Sequence, residues 1–143
     1  MADWSIEASP EEGVSIPVEI SELEAASRWV LANENARDGE VSLALVSDVT
    51  ISELNEQYLS HAGPTDVISF PLEDPVRLIG DIYIGVEQAR RQAAEMGVTF
   101  REELLRLVVH GTLHVLGWDH PEGEASPMFA RQEELLRSFL QKF

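Results

Sequence analysis

The sequence predicts a single α/β (α+β) domain, a small four-stranded mixed sheet covered by about five helices. Three observations point there. The length of 143 residues is that of one domain, since domains most often hold roughly 100–150 residues. The hydrophobic periodicity runs strand, helix, strand, helix, strand, strand, helix, helix, helix. No internal repeat and no Gly/Ser- or Pro-rich linker divides the chain, so residues 1–143 read as one unit.

Each element has its own signal. Trp4-Ser5-Ile6-Glu7 alternates apolar and polar residues and reads as a short strand. A helix opens at Ser21, where Glu24 completes a capping box, and carries an apolar stripe of Leu23, Ala26, Trp29 and Val30. It is expected to end near Asp38-Gly39. Val41-Ser42-Leu43-Ala44-Leu45-Val46 reads as a buried strand. Thr50 and Glu53 form a second capping box, opening a short helix with Ile51, Leu54 and Tyr58 inward and Ala62-Gly63-Pro64 as its terminator. Val67-Ile68-Ser69-Phe70 is a third strand, closed by Pro71, and Asp81-Ile82-Tyr83-Ile84 a fourth. The fourth runs into a helix at Val86–Met96, with Gly97 placed to end it in a left-handed conformation. Thr99 and Glu102 make a third capping box before the most apolar helix of the chain. Ser126 as N-cap and Pro127 as first helical residue open the last helix, whose buried face is Met128, Leu135, Leu136, Phe139 and Leu140.

Composition narrows the function classes. With 44% apolar and 25% charged residues, the chain has the balance of a soluble globular protein. Cysteine is absent, which excludes a disulfide framework. No apolar run approaches the roughly 18 residues that span a bilayer, and the start, MADWSIEASPEE, has no hydrophobic signal core. A cytoplasmic protein without membrane contact is the expectation. The 26 acidic residues against 10 basic ones give a formal net charge of -16, which argues against a nonspecific polyanion binder. Arg90, Arg91, Arg101 and Arg106 lie close enough in sequence to form a local basic groove.

The chemistry concentrates in His110-Gly-Thr-Leu-His114-Val-Leu-Gly-Trp-Asp-His120. His110 and His114 are i and i+4 on a helix, so their imidazoles share one face and can converge on one ion. Gly117 can adopt positive φ, stop the helix and reverse the chain, returning His120 towards the first two. Three imidazoles around an open fourth position is the arrangement of a catalytic zinc, and the helix is then zincin-like. Leu107, Val108, Val109, Leu113, Val115 and Leu116 surround the histidines, and burying imidazoles among them is costly unless something binds them. The spacing is similar to that of metzincin proteases, but the glutamate that follows their first histidine is Gly111 here. A peptidase mechanism would lack its general base.

The motif closely resembles the HGxLHLxGYDH signature of the bacterial YbeY family, endoribonucleases of rRNA maturation. Gly63-Pro64-Thr65-Asp66-Val67-Ile68-Ser69-Phe70-Pro71 and Leu78-Ile79-Gly80-Asp81-Ile82-Tyr83-Ile84 are also similar to family segments, and the downstream Met128 fits. The resemblance runs from about Ser42 to the C-terminus. It implies an α/β fold with a small mixed sheet and one zinc ion held by His110, His114 and His120. It also implies single-stranded rRNA as substrate, and the small ribosomal subunit, its proteins and an assembly GTPase as partners. The family often carries an arginine after the tyrosine of its Asn-x-x-Tyr segment; here Asn55-Glu-Gln-Tyr58 is followed by Leu59. That arginine's role therefore does not carry over, and His61, Arg90, Arg91 and Arg106 are the candidates to supply charge instead.

Other polar residues have two readings each. Thr65 and Ser69, with Asp66, either border the site and touch substrate, as Arg106 would, or serve the local turn. Asp81 and Asp119 are either acceptors for the ring N–H of a ligand histidine or solvated carboxylates. Met128 either packs beneath the metal or is ordinary core. No side chain is assigned as catalytic base, and the reactive group expected is a water on the metal at the His110, His114 and His120 site. The leading expectation is a zinc-dependent, single-strand-specific endoribonuclease of 16S rRNA maturation and ribosome quality control. The alternatives are a zinc hydrolase of small amides or peptides, and a non-catalytic ribosome assembly factor with a structural metal.

Overall fold

The computed structural model describes residues 3–72, 77–119 and 126–142. Its elements follow the expected order: β1 (Asp3–Pro10), α1 (Ile20–Asn33), β2 (Asp38–Val46), α2 (Asp48–Leu59), β3 (Val67–Leu72), β4 (Leu78–Gly85), α3 (Val86–Met96), α4 (Phe100–Val115) and α5 (Pro127–Lys142). The four strands form one mixed sheet ordered β1-β2-β4-β3, in which β1, β2 and β4 are parallel and β3 runs antiparallel to β4 at the edge. This is the single α/β domain with a small mixed sheet that the sequence predicts.

The period-2 alternation of the strands divides the core between two sheet faces. Val41, Leu43 and Leu45 of β2 and Ile82 and Ile84 of β4 join Leu104, Leu105 and Val108 of α4 on one face. Val46, Ile68 and Tyr83 join Ile51 and Leu54 of α2 on the other. Helix α4 is the centre of the first layer, packed on β3 and β4 and flanked by α1, α3 and α5. A buried hydroxyl pair ties it to α1. Thr112 Oγ1 donates to the Val108 carbonyl at 2.8 Å, so Ser27 Oγ is the donor in its 2.9 Å bond to Thr112 Oγ1. Among the described residues no helix is long and apolar enough to cross a membrane.

The starts of α4 and α5 form as expected: Thr99 Oγ1 accepts from the Glu102 N–H at 3.0 Å and Ser126 Oγ from the Phe129 N–H at 3.1 Å. Two capping boxes do not form. Helix α1 begins at Ile20 with no side-chain cap, because Glu24 reaches back to accept the Ala8 N–H at 2.9 Å and so pins α1 to β1. Helix α2 begins at Asp48, capped by Ser47, while Thr50 Oγ1 donates to Glu11. Helix α1 ends at Asn33 and Asp38-Gly39 instead opens β2, where pairing with both β1 and β4 extends the strand beyond its apolar run. Tyr58 is 57% exposed rather than inward, its ring set edge-on against Phe70 at 5.3 Å.

Candidate metal centre

Helix α4 packs closely on the sheet, and two glycines make this possible. A Cβ on Gly111 would stand 2.6 Å from Ile82 Cγ2, and one on Gly80 would stand 2.5 Å from both methyls of Val115. The position that carries the catalytic glutamate in metzincin proteases is therefore packed against β4. Ser69, opposite Ile82 in the register, donates its hydroxyl to the Gly111 carbonyl at 3.3 Å and fastens β3 to the same turn of helix.

With Gly111 facing the sheet, His110 and His114 lie half-buried on another face of α4, ring centroids 4.7 Å apart and planes at 74°. His110 Nδ1 is 2.7 Å from Gln132 Oε1 of α5. Helix α4 ends in a Schellman motif: the Gly117 N–H bonds the His114 carbonyl at 2.9 Å and the Trp118 N–H bonds the Leu113 carbonyl at 3.0 Å. Gly117 has φ +100, as the reversal requires, and Trp118 anchors the departing chain by donating its indole N–H to Glu34 at 2.7 Å. Two imidazoles one helical turn apart, one of them held through its ring nitrogen by a second helix, suit a divalent ion with nitrogen ligands. Among the described residues no third His, Cys, Asp or Glu joins them; His120, the third expected ligand, lies outside the described residues.

Replacing Gly117 with valine places a β-branched residue at a φ it rarely tolerates, a strain of about 1–3 kcal/mol. If zinc is the ion this site holds, the expected result is its loss with the helical circular dichroism retained, measured together on the purified variant. Full zinc content would contradict the chain reversal as the device that completes the site.

A charged network surrounds His110. The Gln132 amide nitrogen donates to Glu133 at 3.0 Å, and Arg106 donates to Glu133, to Glu103 at 2.7 Å and to Glu102 at 3.1 Å. Glu103 is buried and also accepts from Gln92 at 2.9 Å. Burial opposes the charge on Arg106, but its carboxylate partners outweigh burial and raise its pKa above the ordinary guanidinium value. Burial likewise pushes the Glu133 carboxyl up, and Arg106 and Gln132 more than reverse it, leaving Glu133 below its usual value. A carboxyl whose folded pKa is depressed stabilises the fold above its unfolded pKa of about 4.3, and that contribution is lost as pH falls below it. Acid unfolding of Glu133→Gln is therefore expected to show a shallower pH dependence than wild type below about pH 4.3, read by circular dichroism. An unchanged slope would contradict the pairing.

The remaining expected residues are placed as follows. Thr65 Oγ1 approaches Asp66 Oδ1 at 3.4 Å, and that oxygen accepts the Val67 N–H at 2.8 Å, so both residues shape the turn into β3. Asp66 also lines a cavity of about 430 Å³ beside the centre, together with His110, Arg106, Gln132, Met128 and Phe129. Met128 is buried there against Val109 and Leu113. Asp81 requires a correction as a histidine partner. It alternates with Ile82, which faces α4, and so projects with Tyr83 from the opposite face of the sheet. Asp119 is exposed beside the end of α4. The basic groove does not form: Arg91 is bound bidentately by Asp48 at 3.0 and 2.9 Å, Arg101 by Glu22 and Arg106 by three carboxylates, while Arg90 lies over the Phe100 ring. Leu59 ends α2 at 45% exposure and His61 is exposed in the turn beyond it.

Gln132, Glu133, Glu103 and Gln92 are site residues that sequence reasoning missed. Only Gln132 left a signal, as a polar residue in register with the apolar stripe of Met128, Leu135, Leu136 and Phe139.

The sequence profile described as Endoribonuclease YbeY matches residues 11–140. The chain belongs to the endoribonuclease YbeY family. By that membership it is an enzyme of the nuclease class of hydrolases. The YbeY relative from Persephonella marina is 40% identical over 128 residues, covering 85% of this chain and 84% of its own. That from Desulfitobacterium hafniense is 40% identical, covering 95% of this chain and 93% of its own. Both are named endoribonuclease YbeY. The solution structure of TM1509 from Thermotoga maritima is similar at a TM-score of 0.66 and 31% identity, over 97% of this chain and 90% of that one.

Proposed function

We propose that the chain is a zinc-dependent endoribonuclease that cuts single-stranded RNA in the cytoplasm, in 16S rRNA maturation and ribosome quality control on the small subunit. The observation that carries this reading is the pair of imidazoles on one face of α4, within a family whose relatives are named endoribonucleases. His110 and His114, with His120 by its place in the motif, are the residues that would hold the ion. When bound, zinc supplies a Lewis acid for a phosphodiester oxygen and lowers the pKa of water.

The chain's own residues divide the remaining work. Gly111 and Gly80 let α4 settle against β4, and Ser69 fixes that position through the Gly111 carbonyl. Position 111 carries no side chain to serve as the general base of a zinc peptidase, which counts against peptide chemistry. Arg106 is held by three carboxylates and keeps α4 and α5 together rather than meeting a phosphate.

The test uses one sequence as single-stranded RNA, duplex RNA and single-stranded DNA, each incubated with zinc-loaded protein. Cleavage of the single-stranded RNA alone is expected. Equal cleavage of the DNA would overturn the ribonuclease reading, and equal cleavage of the duplex would overturn strand preference.

A further inference from the structure

Gln132 is a polar side chain on the apolar stripe of α5, 5% exposed. A buried amide is costly unless both its ends are bonded, and here both are: Oε1 to His110 Nδ1 at 2.7 Å and Nε2 to Glu133 Oε2 at 3.0 Å. The direction of these bonds follows from charge. Arg106 donates to both oxygens of Glu133, at 2.9 and 3.2 Å, and holds it as a carboxylate, which only accepts. The Gln132 NH₂ must therefore face Glu133. That turns its carbonyl oxygen, an acceptor, towards His110, and the ring nitrogen it meets must carry the proton. A neutral imidazole protonated on Nδ1 has its lone pair on Nε2.

We propose that Gln132 is the positioning residue of the metal centre, holding His110 as the Nδ1–H tautomer so that Nε2 is the ligand atom. Arg106 and Glu133 are the anchor that gives Gln132 its orientation, and a cation fixed by three carboxylates on two helices cannot turn away. The inference rests on the metal site proposed above for its consequence, though the tautomer itself is a property of the metal-free chain. It also accounts for the charge: a neutral amide accepts from the ring without placing a further carboxylate beside Glu103 and Glu133.

Two measurements test it. In metal-free protein with isotope-labelled histidine, at alkaline pH, two-bond proton–nitrogen correlation spectra read the tautomer of His110 directly. The Nδ1–H pattern is expected in wild type, and the Nε2–H pattern, which free imidazole side chains prefer, would overturn the proposal with no variant needed. Zinc affinity is then measured by chelator competition for wild type, Gln132→Leu and Gln132→Glu. The leucine variant is expected to bind about 10–100-fold more weakly, the usual effect of removing such a partner, while the glutamate variant, which keeps an acceptor for the ring but sets a carboxylate against Glu133, is expected to lose less. Wild-type affinity in Gln132→Leu, or an equal loss in both variants, would contradict positioning by an acceptor. Melting temperatures of the metal-free variants separate this loss from unfolding. If wild type binds no zinc, the metal reading fails and the tautomer spectrum still decides the inference.

Discussion

Alanine at position 114 is expected to abolish RNA cleavage while leaving the fold in place. His114 is half-buried near the end of α4, on a different face from the Gly111 and Val115 contacts with the sheet, so its removal opens little core. It does remove one of the two imidazoles placed 4.7 Å apart, and a divalent ion left with fewer nitrogen ligands binds far more weakly. Metal assistance is worth several kcal/mol of transition-state stabilisation, so a loss on the order of a thousandfold or more in kcat/KM is expected. The check is the cleavage rate of single-stranded RNA alongside zinc content and circular dichroism. A variant that binds no zinc yet cuts at the wild-type rate would remove the metal from the mechanism.

Installing the protease-like glutamate, Gly111→Glu, is expected to be the most damaging single change to stability. The new Cβ would meet Ile82 Cγ2 at 2.6 Å and Ser69 Oγ at 3.2 Å, in a layer closed by α4 above and β4 below. Overpacking costs about 1–3 kcal/mol, and a carboxylate confined against Ile82 adds a desolvation cost of its own. The helix-propensity gain from replacing glycine returns at most about 1 kcal/mol. A net loss of roughly 3 kcal/mol is expected for glutamate and a smaller one for Gly111→Ala, read from denaturant midpoints. A glutamate variant as stable as wild type would mean that α4 is free to lift from the sheet, and the packing argument against a general base at this position would fall with it.

Much of the fold was legible because the periodicities are strong. The nine elements appear in the expected order, and α3 and the caps at Thr99 and Ser126 fall where local sequence places them. The misplaced starts share a cause: Glu24 and Thr50 are engaged by β1 and Glu11, partners that no local pattern reveals. The site was legible as far as it is written within one helix. His110, His114 and the positive φ of Gly117 follow from spacing alone. Asp81 was misplaced because alternation says only that it opposes Ile82, not which sheet face α4 covers. The arginines resisted reading for a similar reason: Asp48, Glu22 and Glu133 come to them from other elements. Gln132 belongs to the same class, since its role exists only once α5 lies against α4.

The central claim is that a metal held by the α4 histidines drives RNA cleavage, and removal and return of that metal tests it most directly. The protein is stripped with a chelator, assayed on one single-stranded RNA, given one equivalent of zinc and assayed again beside His114→Ala treated identically. Loss of cleavage on stripping and recovery in wild type alone is the predicted result. Cleavage that persists through stripping, or that returns equally in both proteins, would contradict it.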